Sequence, residues 1–158
     1  MAKYYIAYGS NLNTEQMMWR CPTARIVGTG FIHGYELLFK GSKSGSYLTI
    51  EKNDDSEVPV AVWKIDVDCE KSLDRYEGFP SFYYKKEFTI DVTGIKSKKQ
   101  YHLDAFAYIM HEERKIGIPS REYVITCIQG YEIFGFDIKY LEKAYRRSQE
   151  EENAKRKQ

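Results

Sequence analysis

The chain has 158 residues, of which 30% are charged, and a formal net charge of +1. This length predicts one domain with a substantial core, and the balanced charge indicates no nucleic-acid or membrane-surface partner. No apolar run approaches the roughly 20 residues of a membrane span, and residues 1–3 lead directly into an apolar run. We therefore expect no membrane association, no signal peptide and a cytoplasmic location.

A short strand and a glycine-led turn open the chain. Residues 4–8 are aromatic and β-branched, which is typical of a strand, and Gly9, Ser10 and Asn11 follow as turn formers. Such a turn can direct several backbone N–H groups into one concavity that binds a carboxylate, a phosphate or a developing oxyanion. Residues 9–12 are therefore a candidate anion site, and an ordinary polar turn is the alternative.

The middle of the chain is predicted to be rich in strands. A short helix at residues 14–19, with Asn13 as its N-cap, comes before them. The charged segment 52–57 is predicted to be a loop, and residues 94–99 a hairpin turn. Strands are predicted at residues 25–31, 35–39, 47–51, 58–65, 84–92 and 101–110.

One helix is predicted within this region, at residues 68–77, and an acid stands at its end. Leu73 and Tyr76 share a face at helical spacing, and Gly78 is a C-terminal stop. Glu77 therefore lies in the last turn, where the helix dipole disfavours negative charge and raises the pKa toward that of a general base. The alternative is a surface glutamate at a frayed helix end.

Two helices are predicted in the last third of the chain. Ser120 is the N-cap of the first, at residues 121–133, and Gly135 ends it. Asp137 is the N-cap of the second, which begins at residue 138.

The C-terminal residues carry many charges of both signs. Such a segment indicates a solvated helix that fades into disorder. We therefore predict one domain over residues 1–141 and a charged helical or disordered tail over residues 142–158.

Cysteines and histidines give no pattern for a metal or a disulfide. Cys21, Cys69 and Cys127 are widely spaced and odd in number, so we expect buried or incidental thiols. No histidine lies at metal-ligand spacing, and the serines of residues 41–45 are misplaced for a nucleophile elbow. Fourteen tyrosines suit both a β-rich core and a polar pocket. We expect no metal site and no cofactor.

Three segments stand together in a fixed order. They are Tyr8-Gly9-Ser10-Asn11-Leu12, Leu73-Asp74-Arg75-Tyr76-Glu77-Gly78 and Pro119-Ser120-Arg121-Glu122-Tyr123. This set resembles the γ-glutamylcyclotransferase-like family, which includes the AIG2-like and γ-glutamylamine cyclotransferase proteins. The resemblance runs from about residue 4 to residue 140.

The resemblance implies a fold and a set of site residues. The implied fold is α+β, a small mixed β-barrel of about six strands with flanking helices. Glu77 is the implied catalytic residue. The implied substrate-binding residues are Tyr8, Gly9, Ser10, Asn11, Leu12, Tyr84 and Tyr123.

Members of the family cleave a γ-glutamyl amide by attack of the substrate's α-amine on its own γ-carbonyl, which releases 5-oxoproline and a free amine or amino acid. Because the substrate supplies the nucleophile, the protein needs a base and an acid, and Glu77 can act as both in turn. Desolvation by Tyr76, Phe79 or Phe82 would help it act as a base. The amides of residues 9–12 suit either the α-carboxylate or the oxyanion, and both assignments stay open.

Other functions also stay open. One is removal of a γ-glutamyl group from a biosynthetic intermediate or from an amide of the γ-glutamyl-lysine type. Another is a non-enzymatic binding module of the same fold, although such a module has no need of a base. We expect a small-molecule γ-glutamyl substrate and a monomer or homodimer. The charged segment between Tyr108 and Pro119 is predicted to leave the pocket open on one side.

Overall fold

The computed structural model describes residues 2–157 of the chain, and this part contains six strands, four helices and one 3₁₀ turn. The strands are β1 Lys3–Ala7, β2 Arg25–Ser42, β3 Gly45–Ile65, β4 Tyr83–Thr93, β5 Gln100–Met110 and β6 Lys115–Ile116. The helices are α1 Thr14–Arg20, α2 Val67–Glu77, α3 Arg121–Phe134 and α4 Lys139–Arg156, and the 3₁₀ turn is Ser10–Leu12.

Five of the strands close into a barrel. Their order is β3-β1-β5-β4-β2, and β2 pairs again with β3 to complete the circle. The pairing of β1 with β5 is parallel, and the other pairings in the barrel are antiparallel. The sixth strand, β6, adds to β2 at residues 40–41. The predicted α+β fold, a small mixed barrel with flanking helices, is confirmed.

The long β2–β3 hairpin corrects the strand prediction. Residues 25–31 and 35–39 belong to one strand, as do residues 47–51 and 58–65. The charged segment 52–57, predicted as a loop, is part of β3 and pairs with β2. An antiparallel hairpin can have solvent on its faces, so charged residues need not interrupt it.

The N-caps predicted at Asn13 and Ser120 are confirmed, whereas the N-cap of α4 is Ile138, one residue after the predicted Asp137, because α4 begins at Lys139. The side chains of Asn13, Ser120 and Asp137 each accept a hydrogen bond from a backbone N–H of the helix that follows. Gly78 and Gly135 follow α2 and α3 with φ of 65° and 69°, the left-handed conformation that glycine adopts most readily. Because Gly78 ends α2, Glu77 is the last residue of that helix.

The C-terminal helix α4 continues across residue 141 without a break. Its charged sequence carries buried positions at Leu141, Ala144 and Ser148, and it contacts β2. The domain boundary at residue 141 stays a prediction. Among the described residues, no helix is both long and apolar enough to cross a bilayer.

A disulfide joins Cys21 and Cys69, so the expectation of incidental thiols was wrong for this pair. The bond connects the residue after α1 to the first turn of α2, and both cysteines are buried. Its partners lie 48 residues apart in the chain and meet only through the fold. Cys127 is free and buried.

Candidate active site

A cavity of about 230 Å³ opens beside the end of β1 and the last turn of α2. Its volume is below the roughly 300–1,000 Å³ of sites for drug-sized ligands, so it suits a small metabolite. Seven of its lining residues are tyrosines, and Glu77 is the one acid among them. The lining residues are Tyr5, Tyr8, Gly9, Ser10, Asn11, Tyr47, Leu48, Tyr76, Glu77, Phe82, Tyr83, Tyr108 and Tyr123.

The structure brings six of the eight site residues predicted from the sequence to this cavity. They are Tyr8, Gly9, Ser10, Asn11, Glu77 and Tyr123. Leu12 does not line it, because its side chain is fully buried in the core. The N–H of Leu12 is also occupied, since it donates to Gly9 O over 3.0 Å.

Tyr84 lies outside the cavity, which corrects its expected position. Its phenol donates to the Glu112 carboxylate, and its ring packs on His111. Successive side chains of a strand point to opposite faces. In β4 it is therefore Tyr83, one residue earlier, that faces the cavity.

The loop Gly9–Leu12, which we call the substrate loop after its predicted role, carries backbone donors that have no partner within residues 2–157. In a 3₁₀ turn the first N–H groups have no partner within the turn. Here Leu12 and Asn13 donate to the first two carbonyls, and no hydrogen bond between described residues uses the N–H of Ser10 or Asn11. Those two amides are therefore available to an anionic or partly negative oxygen of a ligand.

Side chains hold the substrate loop in place. The Ser10 hydroxyl and the Tyr76 phenol are 3.0 Å apart and hydrogen-bonded. The Asn11 side-chain amide donates to the Tyr5 phenol over 2.9 Å. The loop is thus tied both to α2 and to β1.

Glu77 has an environment that disfavours its charge. Burial raises the pKa of this carboxyl group to about 8, and the positive charge of Arg20 opposes that rise. Burial is thus the main cause of the raised pKa, and of the two causes expected from the sequence, the helix dipole and desolvation, it corresponds to desolvation. A carboxyl group with this pKa is present in both protonation states near neutral pH, so it can take up a proton and return it.

Buried phenols form the walls around Glu77. Tyr8 donates to the carbonyl oxygen of Tyr108 over 2.5 Å, and Tyr83 donates to that of Leu48 over 2.9 Å. The Tyr123 phenol accepts from the N–H of Leu48 over 3.1 Å. Burial raises the pKa of Tyr8, Tyr83 and Tyr123 well above the usual value, so these side chains are neutral walls with fixed polar atoms.

Sequence reasoning missed several residues of this site. It did not assign Tyr5, Tyr47, Leu48, Tyr83 or Tyr108 to the lining. The high tyrosine content was the one signal for the four tyrosines, and no signal pointed to Leu48. Their places follow from strand pairing, which sets the face that each side chain takes.

Two arginines next to the site were also left unassigned. Arg20 donates to Asn11 Oδ1 over 2.7 Å, and its guanidinium carbon lies 3.4 Å above the centre of the Tyr76 ring. The Arg114 guanidinium carbon lies 4.6 Å from the centre of the Phe82 ring. Arg114 Nε is buried without a hydrogen-bond partner among the described residues. Across residues 2–157, no group of three or more histidine, cysteine and acidic side chains could hold a metal ion.

We expect Gly130→Ala to damage the substrate loop. A Cβ at Gly130 of α3 would lie 2.7 Å from the carbonyl carbon of Leu12 and 2.8 Å from the N of Asn13. Alanine in a helix gains up to about 1 kcal/mol of helix propensity, whereas overpacking costs about 1–3 kcal/mol. Thermal unfolding should show a lower midpoint and steady-state kinetics a higher KM. Glu132→Ala, on an exposed site of the same helix, is the control, and a variant at Gly130 that matched this control would contradict the prediction.

The sequence and the fold both have known relatives. Residues 5–124 match the family model described as gamma-glutamyl cyclotransferase, AIG2-like. The chain is 30% identical to the gamma-glutamylcyclotransferase of Bos taurus and 29% identical to that of Homo sapiens, in each case over 88% of this chain and 75% of the relative. A solved structure of a gamma-glutamyl cyclotransferase superposes with a TM-score of 0.77 at 26% identity, over 91% of this chain and 86% of that one.

Proposed function

The chain belongs to the gamma-glutamyl cyclotransferase, AIG2-like family and is an enzyme of that kind, and we propose that it releases 5-oxoproline from a γ-glutamyl amino acid with Glu77 as base and acid. This proposal rests on one observation, the set of protein groups that one small cavity brings together. A single acid with a raised pKa and two free backbone amides, those of Ser10 and Asn11, meet there.

The first step is ring closure. The Glu77 carboxylate takes a proton from the substrate's α-ammonium group, and the resulting amine attacks the γ-carbonyl carbon. A carbon–nitrogen bond forms, a five-membered ring closes, and negative charge moves to the carbonyl oxygen. The amides of Ser10 and Asn11 can stabilise this oxyanion or can hold the α-carboxylate so that the chain is folded for attack.

The second step is departure of the amine. Glu77, now protonated, donates its proton to the leaving nitrogen, the oxyanion re-forms the carbonyl group, and the original amide bond breaks. The ring nitrogen then gives up its second proton through Glu77 to the released amine, which leaves as an ammonium group. 5-Oxoproline and a free amino acid leave, and Glu77 returns to its carboxylate form. A pKa of about 8 supports both roles, because neither protonation state is strongly disfavoured at neutral pH.

Arg114, which lies next to the cavity without lining it, offers a reason to favour an amino acid as the leaving group. Arg114 stacks on Phe82, which lines the cavity, and forms no ion pair among the described residues. A guanidinium binds a carboxylate through paired N–H donors. We assign Arg114 to the carboxylate of the released amino acid, which a γ-glutamyl amine lacks.

The first experiment is 5-oxoproline release from a panel of γ-glutamyl dipeptides and γ-glutamyl amines by purified protein. We expect turnover of the dipeptides. Release from γ-glutamyl-lysine amides alone would favour the related deprotection chemistry. Absence of release from every compound, with retained binding of one, would favour the non-enzymatic binding module.

Arg114→Gln tests the leaving-group assignment. We expect kcat/KM for γ-glutamyl dipeptides to fall about 10-fold or more, since a hydrogen bond to a charged group is worth about 1.5–3 kcal/mol. For γ-glutamyl amines kcat/KM should not change, because they offer Arg114 no carboxylate. Arg121→Gln, at an exposed position, is the matched control. An equal loss with both substrate classes would contradict the assignment.

A further inference from the structure

We propose that Arg20 is a positioning residue of the reaction, which fixes the substrate loop relative to the end of α2. This inference rests on the proposed function, because it gives Arg20 a task in the same cavity. Arg20 itself does not line the cavity. Its effect is therefore transmitted through Asn11 and Tyr76, which do.

Three contacts hold the Arg20 guanidinium. One terminal nitrogen donates to Asn11 Oδ1 over 2.7 Å, and the other donates to Gln16 Oε1 over 3.1 Å. The face of the group covers the ring of Tyr76 at 3.4 Å. A planar guanidinium can donate within its plane while its face packs on an aromatic ring, so the three contacts are compatible. Lysine cannot reproduce this arrangement.

These contacts connect the loop amides to the catalytic acid. Asn11 is held by Arg20 at its side-chain oxygen and donates to Tyr5 from its side-chain nitrogen. Tyr76 is covered by Arg20 and is hydrogen-bonded to Ser10 at its phenol. Glu77 follows Tyr76 directly. The Ser10 and Asn11 amides and the Glu77 carboxyl group are thus set by one shared framework.

The disulfide anchors the residue that makes this connection. Cys21 follows Arg20 directly, and its bond to Cys69 ties the end of α1 to the first turn of α2. Both cysteines are buried, so the attachment lies inside the core. Arg20 is consequently held at its backbone by α2 as well as at its side chain.

The charge of Arg20 also acts on Glu77. The titratable groups that surround Glu77 are Arg20 of α1, which acts on its pKa, and five phenols whose own pKa values are raised by burial and by the nearby Glu77 carboxylate: Tyr5 and Tyr8 of β1, Tyr76 of α2, Tyr83 of β4 and Tyr108 of β5. Burial raises the pKa of each of these phenols, so all are neutral at neutral pH. Arg20 therefore carries the one fixed charge in this set, and it lowers the pKa of Glu77.

The test compares Arg20→Met and Arg20→Lys with wild type, and Arg25→Met, on the exposed surface of β2, serves as control. We expect Arg20→Met to lower kcat about 10-fold or more and to move the acid limb of the kcat/KM pH profile to higher pH. Arg20→Lys should keep the limb near its wild-type position, because the charge remains, but should lose kcat. If Arg20 served only to stabilise the fold, the loss of kcat and the shift of the acid limb would not be separated between the two variants.

A second readout does not depend on turnover. The ¹⁵N and ¹H shifts of the Ser10 and Asn11 amides should change in Arg20→Met and stay unchanged in Arg25→Met. Wild-type kinetics together with unchanged amide shifts would overturn the proposal. If wild type releases no 5-oxoproline at all, the proposed function fails, and the amide shifts still decide whether Arg20 positions the loop. Should Arg20→Met not fold, Arg20→Lys is judged by the same two readouts.

Discussion

Replacing Glu77 with glutamine is expected to lower 5-oxoproline release by at least about 10²- to 10⁴-fold, the usual contribution of a positioned general acid or base. The amide keeps the shape of the carboxyl group, but it can neither accept the ammonium proton nor return one to the leaving nitrogen. The measurement is single-substrate kinetics on the best γ-glutamyl dipeptide of the panel. Glu122→Gln, the same substitution at an exposed position of α3, is the control.

The pH dependence of kcat/KM provides a second test of the role of Glu77. The proposed base, Glu77, can accept a proton only when it is ionised, and burial raises its pKa to about 8. We therefore expect kcat/KM of wild type to rise with pH until about pH 8. The residual rate of Glu77→Gln should lack that limb. An unchanged limb in the variant would assign the base to another group.

Glu77→Gln should also change the thermal stability of the protein, by an amount that depends on pH. The pKa of Glu77 is raised in the folded protein above its ordinary value of 4.5, so the native state keeps a proton that the unfolded chain releases. The associated stability is complete below about pH 4.5 and is lost as the pH rises through about 8. Glutamine does not ionise, so Glu77→Gln should unfold at a higher temperature than wild type at pH 8 and at a similar temperature at pH 4.5. The gain is at most about 1.4 kcal/mol for each unit of pKa shift.

Removal of the disulfide should produce the largest loss of stability. The double variant Cys21→Ala, Cys69→Ala releases a constraint between residues 48 positions apart. Loop-closure entropy assigns about 4 kcal/mol to a loop of this size, which corresponds to about 8–16 °C in the unfolding midpoint of a chain of this length. Thermal unfolding of oxidised wild type and of the double variant measures the difference.

Thiol titration establishes whether the disulfide is formed in the protein that is used for thermal unfolding. Oxidised, denatured protein should present one reactive thiol per chain, that of Cys127, and reduced protein should present three. Cys127→Ala is the control, since it removes a cysteine without removing the bond. Three thiols in unreduced protein, or equal stability of wild type and double variant, would contradict the prediction.

Local patterns were enough to predict the end of α2 and the helix caps. A glycine after an amphipathic run indicates a helix stop, and this placed Glu77 at the last residue of α2. Asn13 and Ser120 were identified because a cap acts on the next few residues of the same chain. The three motifs added the family and the barrel, which periodicity alone does not indicate. The roles of the site residues, the cytoplasmic location and the oligomeric state stay predictions.

Features that depend on distant pairing were not predictable in this way. Tyr83 and Tyr84 are equally plausible in sequence, and the pairing of β4 with β5 decides which one faces the cavity. Cys21 and Cys69 meet because α1 and α2 come together after folding. In the sequence, nothing distinguishes Arg20 from a surface arginine, because its contacts with Asn11 and Tyr76 form only on folding.

Barrel closure has a consequence for when the enzyme becomes active during synthesis. Tyr5 of β1 pairs with Phe106 of β5. The strand β1, which leads into the substrate loop, is therefore flanked on both sides only after about a hundred further residues have been synthesised. Tyr123, which lines the cavity from α3, arrives later still. A nascent chain interrupted before β5 therefore holds Glu77 and residues 8–11 but no enclosed cavity. We therefore expect activity only after the barrel has closed and α3 has packed against it, so activity can report that the cavity is complete.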